Sequence, residues 1–353
     1  MDYSLFDIGD ICPTVEGQWD AIRASRPEYY SPFFSRRFIK IAAPERPQTQ
    51  VVIASEHERV VGVLPFERAG QSGYPVCRMI NDAHGFIGDA RNVDFNSLLS
   101  AAGVTTFVAH ADPNPVLPRF ETFGSSKSFL CDLSVENGTY SDWLRSHSKT
   151  IAKQRQKSNK LKRELGSLRL DFDCKDHEIL DQLINLKSEQ YKRTHIFDKF
   201  SIPWVRRLMH RLLDQQSDPR LQLSILYAGD QLVAGHYGIR EGSLLHYWFP
   251  VYRPEFSIYS PGTALFLEII NRSVQENVSK IDFGYGELPY KWKLCNVVTE
   301  SYEGVYSRSR LSTAHLRARR QIEKLAKLTP GKSHIKRMRR MLFPDADARA
   351  HGG

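Results

Sequence analysis

Two stretches hold residues whose types and spacing could do chemistry. The first is Tyr259-Ser260-Pro261-Gly262-Thr263, preceded in its loop by Arg253. Pro261 suits the first turn of a helix, and Gly262 lets a ligand approach the backbone. Ser260 or Thr263 can cap the helix or offer a hydroxyl. Amides at a helix start lack partners and lie at the positive end of its dipole, so such a turn can cradle an anion. It can equally be an ordinary helix start. The second stretch is Ile281-Asp282-Phe283-Gly284-Tyr285-Gly286, running on to Glu287 and Tyr290-Lys291. Here a carboxylate precedes a glycine-broken turn, where it can do proton chemistry or brace the turn, and it can pair with Lys291. The sequence contains no HExxH, GxSxG or GxxxxGK[ST] pattern. The loop with Asp82, His84 and Asp89 has a single histidine, so a polar loop is expected there and no metal site.

These residues need elements to hold them. An apolar run, Leu244 to Tyr252, predicts a strand. An amphipathic helix should follow Pro261, then a short strand from Lys280 to Phe283 and a last one from Val297 to Tyr306. Upstream, Trp143 to Leu165 predicts a helix stopped by Gly166, with Lys149, Lys153, Lys157 and Lys160 along one face. That stripe is either a solvated face or a contact for phosphates. A strand (Leu168 to Phe172) and helices at Glu178 to Lys192 and Pro203 to Gln215 come next. In the first half, helices are expected at Val15 to Arg26 and Pro32 to Ala43, and short strands at Val76 to Ile80, Thr105 to Ala109 and Ser128 to Leu133.

The chain also repeats itself. Val51 to Arg68 (VVIASEHERVVGVLPFER) and Leu223 to Arg240 (LSILYAGDQLVAGHYGIR) align without a gap at an offset of 172 residues. Both read as β-hairpins, and both follow a pair of helices. The expected fold class is therefore α/β (α+β), with two similar units in tandem, spanning residues 1–140 and 141–308. A basic helical tail, 309–353, follows. Only the second unit shows the whole strand–loop–helix–strand pattern. The first unit is expected to run into polar loop after Ile80.

Composition bounds the partners. The 353 residues are 41% hydrophobic and 11% aromatic, ordinary for a chain with a sizeable core. Net charge is +9, but Val305 to Gly353 holds thirteen Lys/Arg against three Asp/Glu, which is +10 and leaves −1 for the rest. Such a tail suits an anionic membrane surface, nucleic acid or an acidic protein, or is a solvated helix. The five cysteines are scattered without a CxxC pair, and no signal peptide or membrane span is legible, so a cytoplasmic setting is expected.

The order of hairpin, strand, Ser-Pro-Gly helix start and Ile281-Asp282-Phe283-Gly284-Tyr285-Gly286 with Tyr290-Lys291 downstream resembles the acetyltransferases of the cellulose-biosynthesis type. These belong to the GNAT superfamily and are similar to the FemABX peptidoglycan transferases. The resemblance covers about Trp143 to Tyr306 and includes the Arg/Lys-rich helix from Lys149 to Arg163. The loop departs from simple GNAT enzymes by keeping only Gly262 of their glycine-rich signature.

The resemblance implies tandem GNAT-like units, each a mixed, mostly antiparallel sheet flanked by helices, of which the first is degenerate. It implies an N-acyltransferase using acetyl-CoA or another acyl-CoA, with no metal. Arg253, Tyr259, Ser260, Gly262 and Thr263 would meet the donor's phosphates. Catalytic candidates are Asp282 or Glu287 as base, Tyr290 or Tyr285 as acid to the leaving thiolate, and His236, expected to face the cleft, as base or substrate contact. A buried structural histidine is the commoner fate of such a residue. Tyr247, Tyr285 and Lys291 are candidate substrate contacts. The acceptor implied is an amine of an amino sugar or other cell-envelope or exopolysaccharide precursor. Two alternatives stay open: an aminoacyl-tRNA-dependent transferase whose basic stripe and tail hold tRNA, and a non-catalytic binding module. A cytoplasmic protein touching the inner membrane through its tail fits the same reading.

Overall fold

The computed structural model of the chain describes residues 1–115, 120–134, 140–308, 311, 313–314 and 316–318. The basic helical tail expected from residue 309 lies almost wholly outside them. In the first half the elements are β1 (Asp2–Asp7), α1 (Pro13–Ala24), α2 (Arg36–Ala42), β2 (Thr49–Glu56), β3 (Arg59–Ala69), β4 (Ser72–Tyr74), β5 (Ile87–Gly88), α3 (Phe95–Ala101), β6 (Thr106–Asp112) and β7 (Phe120–Asp132). The second half adds α4 (Tyr140–Ser146), α5 (Ser148–Leu165), β8 (Leu168–Cys174), α6 (His177–Arg193), α7 (Pro203–Leu213), β9 (Arg220–Ala228), β10 (Gln231–Glu241) and β11 (Leu244–Tyr252). It closes with α8 (Pro261–Ser273), β12 (Lys280–Tyr285), α9 (Pro289–Leu294) and β13 (Val297–Ser307).

The strands form one mixed, mostly antiparallel sheet of order β1-β2-β3-β4-β6-β13-β7-β12-β11-β10-β9-β8, with β5 on β3. The order mirrors itself about its centre. Two parallel pairs, β4 with β6 and β11 with β12, stand at equivalent places. The closing strands cross over: β7 pairs with β12, and β13 pairs with β6. The sequence repeat is real in three dimensions, because shifting β3 by 172 residues gives the bounds of β10. Both hairpins also carry a bulge at the equivalent place, near Val60–Gly62 and near Leu232–Ala234.

Three expectations change. The first half has its own helix, α3, between its parallel strands, started by Asp94 accepting from the amides of Asn96 and Ser97 and not by a Ser-Pro-Gly turn. Val76 to Ile80 forms turns, and the strand lies earlier at Ser72–Tyr74, where Gly73 packs against Phe107 and Phe66. Pro32 to Ala43 breaks at the extended Ser35 into one 3-10 turn and α2.

Side chains alternate across the sheet and so divide the core. On one face Leu245, Tyr247, Ile281 and Phe283 pack under α5 and α8. On the other, Trp248 and Tyr237 meet Phe33, Phe38, Leu208 and Leu212, so helices of both halves share one core.

Candidate active site

The site is built where β11 and β12 part. Their ladder runs Leu244–Lys280, Leu245–Ile281 and His246–Asp282 and goes no further, although both strands continue. A parallel pair that splays leaves a slot through the sheet, edged by backbone groups without ladder partners. The last rung is chemical. His246 Nδ1 meets Asp282 Oδ2 at 2.8 Å, and His246 Nε2 faces Asp82 Oδ2 at 3.4 Å. The other Asp282 oxygen accepts from the Gly284 amide at 2.8 Å and from the Tyr30 hydroxyl at 3.4 Å. His246 is 0% exposed and Asp282 2%. Burial favours a neutral imidazole, but the two carboxylates outweigh it and push His246 up to about 9. Burial likewise pushes the Asp82 carboxyl up, and the imidazolium overrides it to hold Asp82 below its usual value. His246 is thus a buried cation between two anions at neutral pH.

This has a signed consequence. A group whose folded value lies above its unfolded one stabilises fully below the unfolded value and loses that contribution as pH rises through the folded one. From 6.5 to about 9, His246 should therefore give up about 3 kcal/mol. Thermal unfolding of the parent should fall across this window more steeply than that of His246→Gln.

Lys291 closes the ring from α9. Its Nζ donates to the Tyr285 carbonyl at 2.9 Å and the Gly284 carbonyl at 3.3 Å. Burial lowers its affinity for the proton, while Asp82 and Asp282 oppose that. The expected pairing of Lys291 with Asp282 is replaced by His246 as the partner and a longer-range attraction from the lysine. Gly284 makes the turn possible. Its φ is +65°, and a Cβ there would come 2.8 Å from Asp82 Oδ2 and 3.0 Å from His246 Cε1. Gly284→Ala should lower unfolding stability by roughly 1–3 kcal/mol, read from the denaturant midpoint, and loosen the cluster.

The two faces of the slot differ. On the α8 face lie Tyr247, ringed by Phe266 and Phe283, and Tyr290, tilted 5.9 Å from Phe283. The Tyr247 hydroxyl is buried with no hydrogen-bond partner among the described residues. Burial pushes the Tyr290 phenol up to about 12, so it keeps its proton near neutrality. At the start of α8, Ser260 adopts a left-handed φ of 51°. Its hydroxyl does not cap the helix; it accepts from Lys157 Nζ at 2.6 Å. The lysine stripe on α5 therefore reaches this turn. Gly262 is open, with Tyr252 at 3.8 Å as the nearest neighbour to an added Cβ. The Thr263 amide already bonds the Ser260 carbonyl, and Pro261 has no amide, so Gly262 supplies the N–H of the first turn that has no partner among the described residues. Arg253 stands beside Glu255 at 3.7 Å, and the Tyr259 hydroxyl bonds the Glu164 carboxylate.

On the opposite face a cavity of ≈ 380 Å³ lies between the halves. Asp282, Asp82 and Tyr30 are in its wall, beside Ser128 and Leu130 of β7 and Val297, Thr299 and Ser301 of β13.

Not every candidate converges. His236 does not face a cleft: it is 0% exposed, stacked on Tyr247 with centroids 4.1 Å apart, and burial drives its ring down to about 3. The strand alternation turns it into the aromatic layer, which supports Tyr247. Glu287 lies exposed between β12 and α9. The Tyr285 hydroxyl is turned away to Glu303 at 2.5 Å. His84 bonds the Pro65 carbonyl at 2.7 Å, and Asp89 pairs with Arg91. Sequence reasoning missed Tyr30, Asp82 and His246. His246 alternates with Trp248 in a strand that reads as apolar, and its rung with Asp282 depends on a parallel register fixed only by tertiary structure.

Comparison with known proteins agrees with this geometry. Residues 148–292 match the family model described as an acetyltransferase (GNAT) domain. No curated protein matches the sequence. Among solved structures, the crystal structure of FemX superposes with a TM-score of 0.61 at 11% identity, over 90% of this chain and all (100%) of that one. L-PGS from Bacillus licheniformis gives 0.52 at 13% identity, covering 86% of this chain and 94% of that one. A conserved protein of unknown function from Bacteroides thetaiotaomicron gives 0.50 at 13% identity, with 84% and 98% covered. At such identities the likeness is one of fold. The chain has a GNAT-type acyltransferase fold.

Proposed function

We propose that this chain transfers an acyl group, expected to be acetyl, from a coenzyme A thioester to an amine. The observation that carries the reading is the slot between β11 and β12, which has the open Gly262 turn on one face and a carboxylate-lined cavity on the other. The donor's phosphates meet the Gly262 amide, Lys157 and Arg253 at the positive end of α8, and the thioester threads the slot. The acceptor's amine comes from the cavity and attacks the carbonyl carbon. Asp282 takes the proton the nitrogen must lose, and unpartnered amides at the edge of β11 bond the oxyanion. As the carbon–sulfur bond breaks, the sulfur draws a proton from Tyr290. His246 and Lys291 hold Asp282 and its turn in place, and act as positioning residues.

The type of acceptor implied by the resemblance, an amino sugar of an exopolysaccharide or envelope precursor in a cytoplasmic setting, fits an amine nucleophile. Among the described residues, no helix is long and apolar enough to cross a membrane. The test is thiol release: purified protein, acetyl-CoA and a panel of amines, with products read by mass. Acetylated amine in step with released thiol supports the reading, and thiol release equal to the blank for every amine contradicts it.

A second reading, transfer of an aminoacyl ester carried on tRNA, draws support from the α8 start, where only the Gly262 amide lacks a partner among the described residues, and from the lysines along α5. It requires tRNA binding that weakens steeply with salt. No retention of tRNA at low salt removes it.

A further inference from the structure

The geometry points to an acceptor that is a small amine carrying a second positive charge, held in the cavity between the halves and free of phosphate. This rests on the acyl-transfer reading for its chemistry but on the cavity for its content. The wall presents four carboxylates, Glu28, Asp82, Asp132 and Asp282, against one ammonium, Lys280, which sits 3.9 Å from Asp132; Glu300 borders the cavity, but its carboxylate bonds Ser125 and Lys127 on the other face of the sheet. The other balancing cations stand outside the wall. Arg26 pairs with Glu28 at 3.4 Å, and His246 lies behind Asp82 and Asp282. Lys291 reaches the same two aspartates only at longer range. The inner surface is therefore negative although its surroundings are nearly balanced, and it attracts ammonium groups while repelling a diphosphate.

A second observation is independent of charge. The Ser31 hydroxyl, in a cavity-lining residue 3% exposed, is buried with no hydrogen-bond partner among the described residues. A hydroxyl so placed can accept from an incoming N–H. The carboxylates are also graded in depth. Side-chain exposure runs from 27% at Asp82 and 26% at Glu28 through 13% at Asp132 to 3% at Asp282. An acceptor entering over Glu28 would leave one ammonium there and bring its reacting amine to Asp282. The volume, ≈ 380 Å³, lies near the lower bound of small-molecule sites, which suits a linear diamine or a diamino sugar better than a nucleotide-linked sugar.

The experiment has two arms. Calorimetry of the full chain with 1,4-diaminobutane, without donor, should show binding that weakens about tenfold in Glu28→Gln. Absence of binding, or binding indifferent to that change, overturns the inference whatever the transfer assay shows. With acetyl-CoA present, kcat/KM for 1,4-diaminobutane should exceed that for butylamine about tenfold, and Glu28→Gln should collapse that ratio. UDP-glucosamine accepted as well as or better than the diamine would also overturn it. Failure of every amine to be acylated, with diamine binding intact, would instead count against the acyl-transfer reading alone.

Discussion

Gly262→Trp folds as the parent does and loses its acyl donor: that is the expected result with the largest effect on binding. The position tolerates a side chain. Its backbone is helical, and an added Cβ meets nothing nearer than Tyr252 at 3.8 Å. An indole there would cover the amide proposed to meet the donor's phosphates and crowd Lys157. Loss of charge-assisted bonds of this kind is worth about 3 kcal/mol, or about 10²-fold in donor affinity. Calorimetry with acetyl-CoA measures it, and an unchanged melting temperature separates it from misfolding. Parent-like affinity would move the donor elsewhere.

The largest effect on turnover is expected from Asp282→Asn. The amide can still brace Gly284 but cannot take a proton. Losing a positioned general base typically lowers kcat by about 10²–10⁴-fold. Donor affinity should hold, because the α8 turn lies on the other face of the sheet. His246 loses one of its two anions, so the pH at which it gives up its proton should fall, and the stability it lends should end at lower pH. Kinetics and a pH series of thermal melts read the two effects separately. A fall of less than tenfold in kcat would reduce Asp282 to a brace for its turn.

Much of the scaffold was legible in the sequence for local reasons. The offset of 172 residues appears because two hairpins with one bulge each obey the same alternation. The α8 start was legible because Pro261 and Gly262 are local signals. Asp282 stood out as a carboxylate before a glycine turn. What stayed hidden depends on distant pairing. Tyr30 and Asp82 come from the first half and reach Asp282 only because both halves share one sheet and one core. The crossing of β7 and β13 was also not legible, since most of β7 is the polar run FETFGSSKS, whose partners lie far along the chain. His236 misled because a polar residue beside Gly235 suggests a cleft, whereas an aromatic layer covers it.

A crystal structure of the chain with coenzyme A tests the central claim most directly. The diphosphate should lie within hydrogen-bonding reach of the Gly262 amide and Lys157, with the thiol in the slot between β11 and β12 on the side of Tyr290. Coenzyme A bound away from α8, or a slot that stays empty with the ligand held elsewhere, would contradict it.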